Sequence, residues 1–249
     1  MACAARFKPI EGLNTTDFGV FYLRVQEAGG YASSQDHPRR HVPREGKVDI
    51  DLRAVASPCV WFLTQDQTGV LQMQSDLFAV NWRKQQEADS YPRYSKLKER
   101  FNTEFKRFCD YLVSRELSPP ERRQYELTYV NHIDLPMDND LLAAVKDVFP
   151  RFSWLSGGSA ERAQSLHWRT TFALPGGQGG ALSEQVVSGT HNENGAPVLR
   201  YTLTASSDFK EAETGSSDVW FECAHESIVR RFAESTSQTW QSEKWRKTG

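Results

Sequence analysis

Six apolar residues, Tyr94, Leu97, Phe101, Phe105, Phe108 and Leu112, recur at spacings of 3, 4, 4, 3 and 4 between Pro92 and Leu117. That mean step of 3.6 residues is one turn of an α-helix, so the run predicts a long helix with a single apolar face. Pro92 suits a first turn, and Ser118-Pro119-Pro120 forbids continuation. The stripe is mostly aromatic and demands a broad apolar surface to cover. The opposite face carries Lys96, Lys98, Arg100, Lys106 and Arg107 and reads as solvated.

Candidate strands supply that surface. Phe18–Val25 is rich in aromatic and β-branched residues and is expected to be the first strand. Residues 27–47, with Gly29-Gly30 and a basic run from His37 to His41, have neither helical nor strand period and are expected to be a mobile loop. A meander follows through Val60–Leu63, Val70–Gln74 and the run Phe78, Val80 and Trp82. Beyond the long helix, residues 125–133 alternate strictly, with Tyr125, Leu127, Tyr129, Asn131 and Ile133 on one side. A short helix at 141–149 precedes strands at 166–174, 182–190 and 198–205. Turn signals at Pro175–Gly180 and Asn194-Gly195 join them. A last helix opens at Ser217-Asp218, a favourable cap pair, and aligns Phe221, Ala224, Ile228 and Phe232.

The order is strands, long helix, strand, short helix, strands, long helix. It predicts an α+β fold with antiparallel sheet in a pseudo-duplicated strands-then-long-helix arrangement, both long helices packed on one sheet face. The expected organisation is a single domain over 1–249, with pseudo-repeat halves 1–120 and 121–249. No glycine-rich strand-to-helix turn supports a nucleotide-binding parallel sheet.

Composition narrows the function classes. With 30 Lys+Arg against 32 Asp+Glu, the formal charge of −2 excludes a strongly basic nucleic-acid coat. Cys3, Cys59, Cys109 and Cys223 form no C-x-x-C pair, and the six histidines lack ligand spacing, so neither a metal nor another cofactor is expected. The first residues hold no sustained apolar run of the signal-peptide kind, and no stretch approaches a membrane span. The expected location is cytoplasmic.

Few residues carry chemistry. His225-Glu226 lacks the second histidine of a zinc-binding helix, because position 229 is Val. His225, beside the apolar stripe, reads as a partly buried anchor. Asn131-His132 places an amide on an apolar strand face, where it is expected to be buried and hydrogen-bonded, at a cost of about 1–3 kcal/mol if lost. The long helix, returning from the Tyr91–Tyr94 junction, is expected to cover that strand through Tyr129. Arg83 and the run Tyr91-Pro92-Arg93-Tyr94 bracket one strand-to-helix junction, and such planar groups grip partners or anions. The candidate binding residues are therefore Arg83, Tyr91, Arg93, Tyr94, Asn131, His132, His225 and Glu226. A catalytic alternative pairs His132 or His225 with Glu126 or Glu226.

Leu71–Arg83 running on to Tyr91-Pro92-Arg93-Tyr94, the segment Glu126–Ile133 and the segment Ala224–Phe232 together resemble a sporadically distributed bacterial protein family. These motifs span nearly the whole chain in the family's order, although Lys244-Trp245-Arg246 departs from its usual Trp-Gly-Arg ending. The family has no established activity to carry over. Its patchy distribution implies an accessory role of the defence or toxin–antitoxin type. The expected function is a non-catalytic interaction or accessory protein of a bacterial multi-component system, with a protein partner or self-association. Alternatives are a small-ligand-binding domain with a pocket between sheet and helices, and an enzyme of another type. Nucleic acid ranks behind these, through the basic loop of His37, Arg39, Arg40, His41 and Arg44.

Overall fold

In the computed structural model of the protein the described residues are 1–37, 59–86, 88–136, 140–155, 163–175, 179–191, 194–211 and 216–243. The chain is α+β and divides into two compact units, residues 1–126 with 208–217, and residues 127–207 with 218–249. The second strand-rich stretch begins with a strand, Arg122–Asp134, that supplies residues to both.

The first unit contains β1 (Ala2–Arg6), α1 (Thr15–Glu27), β2 (Ser33–His37), β3 (Cys59–Leu63), β4 (Gly69–Gln74), β5 (Leu77–Trp82), α2 (Tyr94–Ser114) and the start of β6 (Arg122–Asp134). Its strand order is β2-β3-β4-β5-β1-β6, and the pairs from β2 to β1 are antiparallel. β4 is buried along its whole length, so Gln72 and Gln74 lie in the interior beside Val70, Leu71 and Met73.

The expected long helix is α2. Its six stripe residues are all buried, and it packs on β5 and β1. Phe78 of β5 meets Phe105 at 5.3 Å and Phe108 at 5.2 Å, ring centroid to centroid, while Phe7 stacks on Phe108 at 6.2 Å. Cys3 lies in β1 and Cys59 in β3, both buried. Burial pushes the Cys3 thiol up to about 12, so it behaves as an apolar filler.

Two local expectations fail in this unit. Residues 18–25 form part of helix α1, not a strand. Phe18, Phe21 and Val25 are buried at helical spacing, and Asn14 starts the helix. Its side chain accepts from the Thr16 amide at 2.9 Å, and the Asp17 carboxylate accepts from the Asn14 amide at 3.0 Å. This reciprocal cap outweighs the strand-like composition. Within the expected loop 27–47, Ser33–His37 is strand β2, paired in register from Ser33↔Leu63 to His37↔Cys59. It is polar on both faces and mostly exposed, as an edge strand tolerates, so it shows no alternation. Residues 38–47, with Arg39, Arg40, His41 and Arg44, lie outside the described residues.

The second unit contains the rest of β6, α3 (Leu141–Val148), a short 3-10 helix (Pro150–Leu155), β7 (His167–Ala173), β8 (Ala181–Thr190), β9 (Pro197–Ser206), α4 (Ser216–Ser235, in this unit from Asp218) and α5 (Gln238–Glu243). Its strand order is β6-β9-β8-β7. A two-residue strand, Lys210–Glu211, pairs antiparallel with the start of β6 in the first unit. The three later strands lie within a residue of their expected limits. In the turn between β7 and β8, Gly180 has φ of +107°, and a Cβ there would sit 2.1 Å from the Ser206 carbonyl oxygen, so only glycine fits. Tyr129 belongs to this unit, and its hydroxyl lies 3.0 Å from His225 Nδ1 on α4. The short α5 has no sequence signal; Gln241 on it donates to the carbonyls of Ala233 and Thr236.

Each unit encloses a carboxylate. In the first, Asp17 Oδ1 accepts from the Tyr111 hydroxyl at 2.8 Å and from Arg115 Nε at 3.0 Å. In the second, Glu184 Oε2 accepts from Arg231 Nε at 2.7 Å and Arg151 Nη1 at 3.1 Å, and Oε1 from the Tyr201 hydroxyl at 2.9 Å. Burial and the Glu184 charge raise the Tyr201 phenol, which therefore remains a donor at every physiological pH.

Glu184→Gln keeps the shape but strands two guanidiniums without a counter-charge. It is expected to lower the unfolding free energy in urea by about 3–5 kcal/mol. For Asp17, burial alone raises the pKa, but the Asn14 amide, the Tyr111 hydroxyl and Arg115 together hold it below the ordinary carboxylate value. The stabilisation is complete above about pH 5 and is lost as pH falls through the folded-state pKa. Asp17→Asn is expected to cost about 1–3 kcal/mol at pH 7 and to flatten the acid limb of a stability–pH profile measured by urea unfolding.

Candidate functional site

The eight candidate binding residues divide evenly between the units. Arg83, Tyr91, Arg93 and Tyr94 belong to the first, and Asn131, His132, His225 and Glu226 to the second.

The first group is built where β5 ends and α2 begins. Successive strand residues face opposite sides, so Trp82 and Arg83 leave β5 in opposite directions. Trp82 turns to the α2 side, where Tyr91 stands edge-on to it at 5.1 Å between centroids. Arg83 continues the ladder through its amide, which donates to Thr68 O at 2.8 Å. Its Nε donates to Gln67 O at 3.1 Å, and its guanidinium carbon lies 5.5 Å from the centre of the Trp61 ring. His37 stacks on Trp61 at 3.7 Å with 7° between the planes. Tyr91 is 52% exposed despite its contact with Trp82, so its free side is open to solvent.

Arg93 is exposed and occupies the N-cap position of α2 without a side-chain cap bond. Tyr94 departs from this group. It is buried on the apolar stripe, because helical period assigns it to the core side.

In the second unit Asn131 is half-buried, less than the burial expected for it, and His132 is exposed. Tyr129, Asn131 and Ile133 share a face, but burial is complete only at Ile133. Near His132, His191 Nε2 meets Asp134 Oδ1 at 2.7 Å. Desolvation of the His132 ring lowers its pKa, with the charges of His191 and Arg200 acting in the same direction and Asp134 against them. Position 191 lies 57 residues from Asp134, so no local motif announces this pair. The same holds for Trp61 and His37, which meet only through strand pairing.

His225 is a half-buried anchor in the structure. Its Nδ1 lies 3.0 Å from the Tyr129 hydroxyl, and the two rings stack at 6.0 Å. Desolvation lowers its pKa against the opposing charges of Glu222 and Glu226. A neutral ring protonated at Nε2 accepts the Tyr129 proton at Nδ1. Glu226 is exposed. Glu126, weighed as an acid–base partner, is bonded by Arg6 Nε at 3.1 Å. Among the described residues no group of three or more His, Cys, Asp or Glu is placed to hold a metal ion, and no helix is long and apolar enough to cross a membrane.

In a ring-proton NMR titration His132 and His225 are expected to show midpoints below the ordinary 6.5. The unfolded chain then binds more protons than the native one, so this part of the stability falls as pH drops through the ordinary histidine range and levels off below the folded-state values. Tyr129→Phe removes a donor to the neutral ring and is expected to raise the His225 midpoint. An unmoved midpoint would assign the lowering to burial alone. No known family model, curated protein or solved structure matches the chain.

Proposed function

We propose that the chain is a non-catalytic interaction protein whose contact surface is the β5–α2 junction of the first unit. The observation that carries this reading is the exposed Tyr91, held edge-on by Trp82 on the α2 side of β5; Arg83, set by Trp61 and Gln67, flanks the same junction from the other side of the strand. Aromatic and guanidinium groups already fixed by neighbours lose little entropy on binding. They are the types that anchor protein interfaces. Two of the residues weighed for acid–base work, His225 and Glu126, are engaged by Tyr129 and Arg6, which supports the same reading.

The accessory-system part of the proposal, a component of a bacterial defence or toxin–antitoxin assembly in the cytoplasm, rests on the resemblance given above. Pseudo-duplication is a further proposal. Each unit has a strand-rich half, a long helix and one buried carboxylate bonded by a tyrosine and an arginine.

The test uses wild type, Tyr91→Ala and Arg83→Ala as baits in native-host extract, with light scattering on each purified protein. A partner or a self-associated species is expected for the wild type. Each variant is expected to weaken it about tenfold or more while keeping the wild-type melting temperature within a few degrees. A monomer at all concentrations with no bait-dependent protein, or variants that bind like wild type, would remove the proposal.

A further inference from the structure

A second place in the first unit is shaped for a small molecule. The Gly29-Gly30 turn after α1 and the Thr64–Thr68 turn between β3 and β4 border an open hollow of about 450 Å³, lined also by Arg100. That volume is in the range of small-ligand sites. Arg100 is half-buried on α2, with its guanidinium carbon 4.7 Å over the Tyr31 ring and Nη2 donating to Gly30 O at 3.4 Å. Gly69 makes room for it, since a Cβ there would lie 2.4 Å from Nη1.

No carboxylate among the described residues forms an ion pair with Arg100. Its polar contacts among the described residues are to Gly30 O and the Tyr31 phenol, so most of its five N–H donors remain for a ligand. Asp66, on the same hollow, has its charge fixed from within the hairpin. Oδ1 accepts from the Thr64 hydroxyl at 2.5 Å and the Thr68 amide at 3.1 Å, and Oδ2 from the Thr68 hydroxyl at 2.9 Å. The Thr64 hydroxyl leads in holding the Asp66 carboxyl below its ordinary range, so it is ionised at neutral pH.

From this geometry we propose that the hollow binds a small zwitterion of the α-amino-acid class, its carboxylate on the Arg100 guanidinium and its ammonium toward Asp66. A planar guanidinium with free donors matches a carboxylate bidentately. A simple anion would gain the same contact but meet the Asp66 charge unopposed. The polar lining of Thr64, Gln65 and Thr68 suits a short polar side chain.

The test is NMR titration of the 15N-labelled full chain with L-glutamine and glycine, following the amides of Gly29, Gly30 and Gly69. Glutaramate, which lacks the ammonium of glutamine, and 4-aminobutanamide, which lacks its carboxylate, serve as comparisons. Saturable shifts at those glycines are expected with at least one amino acid, with both comparison compounds about tenfold weaker or more. Arg100→Gln is expected to abolish the shifts. Arg100→Lys, which keeps the charge and the packing, is expected to weaken binding about tenfold. No shift from either amino acid at tens of millimolar, glutaramate binding as well as glutamine, or undiminished binding to Arg100→Lys would overturn the proposal. Tyr91→Ala is expected to leave these shifts intact, which separates this site from the proposed protein contact.

Discussion

A buried carboxylate holds each unit together. Ionised groups leave water only at several kcal/mol, and that cost is offset only when every lone pair finds a donor of good geometry. Asp17 meets the condition with the Asn14 amide, the Tyr111 hydroxyl and Arg115. Glu184 does so with Tyr201, Arg151 and Arg231. Neither carboxylate has a local partner for its charge. Arg115 is 98 residues from Asp17, and Arg231 is 47 residues from Glu184. The apolar stripes set which faces turn inward. The carboxylates fix helices and strands at one register, because sliding by a turn would leave the charge buried and unpaired.

The same arrangement explains how a chain of such aromatic and arginine content uses those residues. Guanidiniums lie over rings at Arg24 on Tyr111, Arg100 on Tyr31, Arg123 on Phe105 and Arg231 on Phe172. Arg231 stacks at 3.8 Å while bonding Glu184, so one side chain serves the ion pair and the apolar layer. Much of the content that suggests interface anchors is therefore internal. What distinguishes Tyr91 is its position at an open junction, where a ring contact holds it without covering it, with the half-buried Arg83 at the same strand end.

Periodicity made the longer amphipathic elements legible. The α2 stripe, the alternation of β6 and the three later strands each carry enough apolar residues on one face to show their period. Elements whose burial is unusual were not legible. β2 is an edge strand exposed on both faces, and β1 is a short run of small residues with too few large side chains to show a period. At α1 the strand-like types in Phe18–Val25 are misleading, whereas Asn14 and Asp17 carry the deciding signal three residues apart. Site chemistry was less legible still. Arg83 and Tyr91 stand out by type, but Trp61 and His37 reach each other only through the register of β2 on β3. Tyr94 shows the converse, a residue of interface type that its helical phase commits to the core.

The misleading segment also decides whether the hollow exists. Read as a strand, residues 18–25 give Gly30 no route to Arg100, 70 residues further along. As a helix, α1 starts at the Asn14–Asp17 cap, where Arg115 and Tyr111 hold it against the end of α2. It then runs along α2 with Arg24 over Tyr111 and ends where the Gly30 amide donates to Val25 O at 3.3 Å. Only then does the Gly30 carbonyl meet Arg100 and the turn close one wall of the hollow. The interaction that removes Asp17 from water thus sets the place of a guanidinium four turns of helix away.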